Sequence, residues 1–414
     1  MDLNKIKKQA QYCLNCKNKP CMSGCPLQNN IPDFIKYIKE EKYEEAFRVL
    51  SDTTIFESIC GRICPQKSQC EGKCVRGIKG DSVHIGELEV FIGDYALENI
   101  DTKIEEAKEN CKKVAIVGSG PSGLAASHYL STRGYKIDIY EKHSKLGGLL
   151  RYGIPEFRLE KKILDKWLDK YILNENVTVF TNIELGKDIF IEDLKTKYDA
   201  IILAIGSNVS SKMNIPGEDK EFVLGGNELL EYRNMPDLKE KSVVVIGGGN
   251  VAMDTSRTIK RLGAKEVKVV YRRAEKQMPA ERKEIEDAKK EGIEFLFLTN
   301  MIEVFDGKIE CVKTHLIKKE GETREYPVNV EGSNFFEDTD FVILAVGSIT
   351  DKKIIDKLGL ETNKWGNIKV DENYKTSDDK IYAIGDVAGV KQTVAWAARS
   401  GLNCAKGIAN FDKI

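Results

Sequence analysis

Apolar residues in the first hundred positions recur every three or four places, as in IPDFIKYIKEEKYEEAFRVL and VHIGELEVFIGDYALENI. That spacing lines one face of a helix, so this region is predicted to be mainly helical, without long strands. The pattern changes at residue 114. From there short apolar runs alternate with helical segments to the end, the signature of parallel sheets whose strands are joined by helices. A charged stretch at 101–113 reads as a linker helix between the two regions. A strand–glycine–helix unit at 114–130 is echoed at 243–260, each copy followed by a second strand, which predicts two copies of one nucleotide-binding unit.

The chain has 414 residues, 41% hydrophobic and 31% charged, a globular profile that predicts two or three domains. Its 64 Lys and Arg almost cancel its 65 Asp and Glu, so no overall field selects nucleic acid or an anionic membrane surface, and a small-molecule or protein partner is expected. No apolar run approaches the roughly eighteen residues of a membrane span, and the start, MDLNKIKKQAQYCLNC, has no apolar signal core. The expected location is the cytoplasm.

The first glycine unit is VAIVGSGPSGLAASHYL. Gly118 permits a tight turn, Gly120 lets the backbone approach a pyrophosphate, and Gly123 allows close helix–strand packing. Pro121 and Ser122 open the helix, whose free N–H groups and dipole favour phosphate. The next strand, YKIDIYEK, ends at Glu141, placed to accept from ribose hydroxyls, with Lys142 after it. A plain glycine turn would lack this strand, helix and terminal acid. The second unit is KSVVVIGGGNVAMDTSRTIKRLGAKEVKVVYRR, with Gly247, Gly249 and Ala252 at the glycine positions and Asn250 and Val251 at the helix start. Where Glu141 stands in the first unit, this one has Arg272 and Arg273. An acid there repels a 2′-phosphate and a guanidinium binds it, which predicts NADP(H) rather than NAD(H); the bland alternative is a solvated pair at a strand end.

Eight of the eleven cysteines lie between positions 13 and 74. In a chain expected to stay in the cytoplasm such clustering reads as metal ligation rather than disulfides. Cys13, Cys16, Cys21 and Cys25 form one run, closed by Pro26; Cys60, Cys64, Cys70 and Cys74 form another, with Pro65 after Cys64. Close runs with a Cys-Pro resemble cluster ferredoxins, whereas structural zinc favours paired knuckles. Two [4Fe–4S] clusters are expected, most simply one per run, with four-thiolate zinc as the alternative. Cys111, Cys311 and Cys404 stand alone and are expected to be buried small residues.

The segments GGLLRYGIPEFRL (147–159, with Gly148 and Leu149), IILAIGS (201–207, with Gly206), VILAVGS (342–348, with Gly347) and IYAIGDVAG (381–389) resemble the glutamate synthase small-subunit family. That family also includes the large subunit of NADH-dependent ferredoxin:NADP oxidoreductase and the amino-terminal half of dihydropyrimidine dehydrogenase. The resemblance runs over almost the whole chain. It implies an α/β architecture of two Rossmann-like domains, the NADPH domain inserted in the FAD domain, preceded by a helical iron–sulfur domain. The expected boundaries are 1–105 for the iron–sulfur domain, 111–225 with 335–414 for FAD, and 226–334 for NADPH. It places the first glycine motif and Glu141 on FAD, Gly385 and Asp386 near its ribityl and pyrophosphate, and a helix starting near Thr393 towards the flavin ring. Asp386 as a mere helix cap is the alternative. The second glycine motif with Arg272 and Arg273 falls on NADPH. For the clusters it implies interleaving, with Cys13, Cys16, Cys21 and Cys74 on one, and Cys25, Cys64, Cys70 and Glu89 on the other. Cys60 would then be a spare thiol, against the alternative of Glu89 as an ordinary solvated helix carboxylate.

The expected activity is an oxidoreductase subunit passing a hydride between NADP(H) and FAD, and single electrons through the clusters to a protein partner. No acid or base is needed for hydride transfer, so no catalytic side chain is nominated. The partner implied is a glutamate synthase large subunit or a transhydrogenase small subunit, with ferredoxin as a possible participant. Two readings of other classes stand beside it: a thioredoxin-reductase-like disulfide reductase, and a non-catalytic NADPH-responsive binding subunit with structural zinc.

Overall fold

The computed structural model describes residues 2–101, 110–232, 235–318, 321 and 324–411. The linker-helix expectation at 101–113 falls mostly on 102–109, outside the described residues. Two compact units divide the chain. One comprises Met1–Arg151, Glu156–Gly206 and Thr350–Ile414; the other comprises Tyr152–Pro155 and Ser207–Ile349.

In the first unit, helices Leu3–Tyr12, Ile31–Lys39, Tyr43–Ser51, Glu57–Ile63 and Ile85–Asn99 form the amino-terminal part. Asp2 caps the first, its carboxylate accepting from the Asn4 N–H at 2.9 Å. The apolar stripe of the second, Ile31, Phe34, Ile35 and Ile38, is buried as its periodicity requires. Helices Glu57–Ile63 and Ile85–Asn99 touch backbone to backbone: a methyl at Gly93 would lie 2.4 Å from the Ser58 nitrogen, and one at Gly61 2.6 Å from the Gly86 carbonyl oxygen. Only glycine allows this approach.

The rest of the first unit is a parallel sheet in the order Ile381–Ala383, Ala200–Leu203, Lys113–Val117, Lys136–Glu141, Val177–Thr181. The helical part packs directly on it, so the two are one body. Trp167, fully buried on helix Lys161–Tyr171, packs its ring tilted against Phe56, centroids 4.7 Å apart, and donates its indole N–H to the Ile55 carbonyl. Lys170 of the same helix donates to the Ala96 carbonyl at 2.8 Å.

The second unit repeats the plan with a parallel sheet in the order Val223–Gly225, Phe341–Leu344, Ser242–Ile246, Glu266–Tyr271, Glu294–Phe297. An antiparallel group, Thr299–Phe305, Lys308–Lys318, Glu325–Asn329 and Phe335–Asp338, is added to it. In both sheets the glycine-bearing strand is central. The second unit extends past 226–334 at both ends for two reasons. Val223–Gly225 hydrogen-bonds into its sheet, and the two-residue strands Val209–Ser210 and Ser348–Ile349 pair antiparallel. Among the described residues no helix is long and apolar enough to cross a membrane.

Candidate functional site

The two glycine turns are built alike. Gly118 has φ +102° and Gly247 φ +145°, the region that favours glycine. A methyl at Gly118 would lie 2.4 Å from the Ala204 carbonyl oxygen, and one at Gly247 2.2 Å from that of Ala345, the matching position of the neighbouring strand's end. At Gly120 and Gly249 a Cβ would meet nothing within 4 Å, so both turns leave an open face at the start of helices Pro121–Ser131 and Asn250–Arg261. Pro121, Ser122 and Gly123 lie in the first turn of one helix, Asn250, Val251 and Ala252 in that of the other. This is the cradle a pyrophosphate needs.

The ends of the second strands differ as their sequences do. Glu141 is 3% exposed and accepts from the Ser119 N–H at 3.0 Å, the Ser119 hydroxyl and the His143 N–H at 2.9 Å. Ser119 is a contributor that the motif leaves unassigned; its hydroxyl also accepts from the Gly147 N–H at 3.0 Å. Gly148 reaches the glycine turn itself, where a methyl on it would come within 2.7 Å of Gly120 Cα, while Leu149 is exposed and Lys142 half-buried beside Glu141. Arg272 is exposed and Arg273 half-buried, and neither guanidinium has a carboxylate within 4.0 Å among the described residues. Arg273 Nε is buried without a hydrogen-bond partner. Their carbonyls are fixed, Arg272's by the Thr314 hydroxyl at 2.9 Å and Arg273's by the Leu298 N–H at 3.0 Å. The side chains are thus carried by a pinned backbone and left available to an anion.

The carboxyl-terminal segment returns to the first turn. A Cβ at Gly385 would lie 2.7 Å from the Ser122 Oγ, and the Gly385 N–H donates to the Ser400 hydroxyl at 2.9 Å. Asp386 sits in the short turn Gly385–Ala388, where burial pushes its carboxyl up to about 6. Thr393 caps helix Val394–Phe411, its hydroxyl accepting from the Trp396 N–H at 3.3 Å. The Gly206 carbonyl accepts from the Thr350 hydroxyl at 3.0 Å in the first unit; Gly347, φ +144°, lies in the second.

The cysteines sort by place rather than by run. Cys13, Cys16, Cys21 and Cys74 line one cavity together with apolar Leu14, Pro20 and Ile35. Burial raises Cys21 to about 11, with Cys13 and Cys74 adding to it. Cys25, Cys60, Cys64, Cys70 and Glu89 form the second group. Burial and then the Glu89 carboxylate push Cys25 up to about 12, and the same two causes lead for Cys70. Cys60 is raised by its hydrogen bond with Cys64 and by burial. Glu89 is 6% exposed, not solvated; burial and then Glu57 raise it to about 8, and the Asn29 side-chain amide donates to it at 3.0 Å. Such crowding of would-be anions in apolar surroundings fits groups that neutralise thiolates. No three such side chains among the described residues converge on a single-ion site. Of the lone cysteines, Cys311 and Cys404 are buried, but Cys111 is exposed because it precedes the sheet, at φ +59°.

Residues 112–401 match the model for pyridine nucleotide-disulphide oxidoreductases, and residues 1–100 match that for dihydropyrimidine dehydrogenase domain II, 4Fe–4S cluster. The glutamate synthase [NADPH] small chain of Azospirillum brasilense is 35% identical, covering 99% of this chain and 89% of its own. The chain belongs to the glutamate synthase small-chain family. Another relative of the family, the NADPH-Fe(3+) oxidoreductase subunit beta of Geobacter sulfurreducens strain PCA, is 38% identical over 84% of this chain and 54% of its own. Among solved structures, Mycobacterium tuberculosis FprA in complex with NADPH has the same fold, with TM-score 0.62 at 21% identity, covering 73% of this chain and 86% of that one. The Thermoplasma acidophilum thioredoxin reductase gives 0.55 at 20% identity over 73% of this chain and all of its own. This member of the small-chain family is an oxidoreductase of α/β fold with an iron–sulfur-type amino-terminal region.

Proposed function

We propose that the chain is an NADPH-oxidising subunit that carries FAD and two [4Fe–4S] clusters and delivers single electrons to a partner subunit. The observation that carries this reading is the contrast between two otherwise matching strand ends: Glu141 buried and hydrogen-bonded in one, Arg272 and Arg273 without carboxylate partners in the other. A carboxylate suits ribose hydroxyls, and free guanidiniums suit a 2′-phosphate. The first unit would hold FAD through Gly118, Gly120, Pro121, Ser122, Gly123, Glu141, Lys142, Gly148, Leu149, Gly206, Gly385, Asp386 and Thr393. The second, as a domain inserted in the first, would hold NADPH through Gly247, Gly249, Asn250, Val251, Arg272, Arg273 and Gly347. The two spatial groups of cysteines support interleaved ligation, Cys13, Cys16, Cys21 and Cys74 on one cluster and Cys25, Cys64, Cys70 and Glu89 on the other. When bound, FAD would supply acceptance of a hydride from NADPH and conversion of an electron pair into the single electrons that iron–sulfur centres carry.

The chain's own work is binding and positioning. Free N–H groups at the two helix starts hold phosphates, and the Thr393-capped helix presents its positive end to developing negative charge. The relatives named as small chains and beta subunits support a partner of glutamate-synthase large-subunit or transhydrogenase small-subunit type, with ferredoxin a possible third participant. A disulfide-reductase role needs a cysteine pair near the nicotinamide, and Cys311 is the single cysteine of 207–349. The reading is tested by stopped-flow mixing of the purified, coloured protein. NADPH should bleach the flavin band far faster than NADH; a colourless zinc protein, or bleaching by NADH alone, would overturn it.

A further inference from the structure

A cleft of about 450 Å³ lies in the first unit and shares no lining residue with either glycine turn. That size suits a small organic molecule, for which pockets run from roughly 300 to 1,000 Å³. One wall is a single face of helix Val394–Phe411, since Arg399, Leu402, Asn403 and Lys406 recur at three- and four-residue spacing. The rest of the lining comes from Met22, Ser23, Leu27 and Gln28, and from Asp52 and Thr53 just past helix Tyr43–Ser51. Leu27 is buried and Leu402 half-buried, so a carbon skeleton has apolar surface to lie on. Arg399 and Lys406 have no carboxylate within 4.0 Å among the described residues. Asp52 is the single acid of the lining, so two cations less one acid leave the cleft positive. Arg399 donates to the Pro26 carbonyl, which leaves other donors of its fork for a ligand.

The walls are fixed before anything binds. Gln28, at φ +57°, is held by its N–H donating to the Cys25 carbonyl at 3.0 Å. The Thr53 hydroxyl donates to the Asn29 side-chain oxygen at 2.8 Å, and the Asn29 amide donates to Glu89 at 3.0 Å. A pinned site loses little order on taking a ligand. We infer that this cleft binds a small hydroxylated organic anion, its carboxylate or phosphate on Arg399 and Lys406 and its hydroxyl groups on Asp52 and Gln28. A guanidinium fork suits either acid group, and the lysine adds a second charge. The cleft is also wired to the inner cysteine group: Arg399 holds the carbonyl of the residue after Cys25, and Thr53 reaches Glu89 through Asn29 alone. The bound anion therefore acts as an effector of that group rather than as a substrate. This consequence rests on the cluster ligation proposed above, whereas binding itself does not.

Calorimetry on the intact, iron-loaded protein tests binding, with glycerol 3-phosphate and malate as probes and glycerol as the uncharged control. At least one anion is expected to bind where glycerol does not, and the better of the two tells phosphate from carboxylate. Lys406→Gln, at an exposed side chain, is expected to weaken binding severalfold with iron content unchanged. Arg399→Gln is expected to weaken it by at least about tenfold, and raised ionic strength to weaken the parent's binding as well. Because Arg399 also holds Pro26, the Lys406 variant stands alone if Arg399→Gln loses iron. Failure of both anions to bind, or binding indifferent to Lys406→Gln and to salt, would overturn the site. The effector role is read separately by EPR redox titration. The midpoint of the inner signal should shift when the parent is saturated with the anion, and less in Lys406→Gln at the same concentration. An unmoved midpoint in the saturated parent sinks the effector role and leaves the binding site standing.

Discussion

Glu89 illustrates how burial changes a residue's meaning. As a glutamate in a helical stretch it has an ordinary solvated reading, yet it is buried beside Cys25, Cys60 and Cys70 and held by Asn29, sixty residues away. No local signal marks Asn29, because only the fold brings it there. If Glu89 completes the inner cluster, Glu89→Ala should lose roughly half the iron by chemical analysis and one EPR signal, while Cys60→Ser keeps both; loss with Cys60→Ser alone would reverse the assignment. The place of Arg272 and Arg273 just past the end of strand Glu266–Tyr271 follows from the apolar run before them. Replacing both with alanine is expected to lower kcat/KM for NADPH by about 10–100-fold, the roughly 1.5–3 kcal/mol of charge-assisted hydrogen bonds, while leaving NADH turnover unchanged. Glu57 has no sequence signal at all. It accepts from the Tyr171 hydroxyl at 3.0 Å, its Oε2 is buried without a partner, and burial raises its carboxyl to about 7. A raised folded-state value favours the protonated form, so its contribution is fully present below the unfolded value near 4.5 and is lost as pH rises through about 7. Glu57→Gln should therefore flatten the fall in melting temperature between those values and make the protein more stable at pH 8, by at most about 3 kcal/mol.

At the scale of elements, the alternation of strands and helices and the two glycine turns follow from patterns repeated in the sequence, and the helical character of the first hundred residues follows from their three-to-four spacing. The edges of the second unit do not. Val209–Ser210 and Ser348–Ile349 are two residues long, too short for any periodicity, and exist only through each other. Contact between helices Glu57–Ile63 and Ile85–Asn99 was equally hidden, because a glycine inside a helix reads as a weakness rather than as a point of approach. It is what brings Cys60 alongside Glu89. Gly93→Ala inserts a methyl 2.4 Å from the Ser58 nitrogen and should destabilise the protein by about 1–3 kcal/mol. Calorimetry should record the lower midpoint, and iron should leave the inner group before the outer one.

For the whole molecule, the sequence divides into a helical cysteine region and two nucleotide units, and the chain divides into two bodies instead. The reason lies in side chains that pattern does not connect: Trp167 and Tyr171 on a helix of the first sheet close over Phe56, Ile55 and Glu57. Deleting residues 1–100 would bare Trp167, which is fully buried, and an exposed aromatic patch of that kind favours aggregation. The truncated chain is expected to be insoluble or to elute as large aggregates in size-exclusion chromatography, whereas a freely appended module would leave a folded remainder.

The Trp167 seam also bears on inheritance. A region sealed to its neighbour by a fully buried indole cannot be exchanged between proteins like a bead on a string, because each half has been fitted to the other's surface. Lineages that shuffle this assembly should then carry the cysteine region and the first nucleotide fold as one indivisible cassette, and vary what is attached at its outer ends.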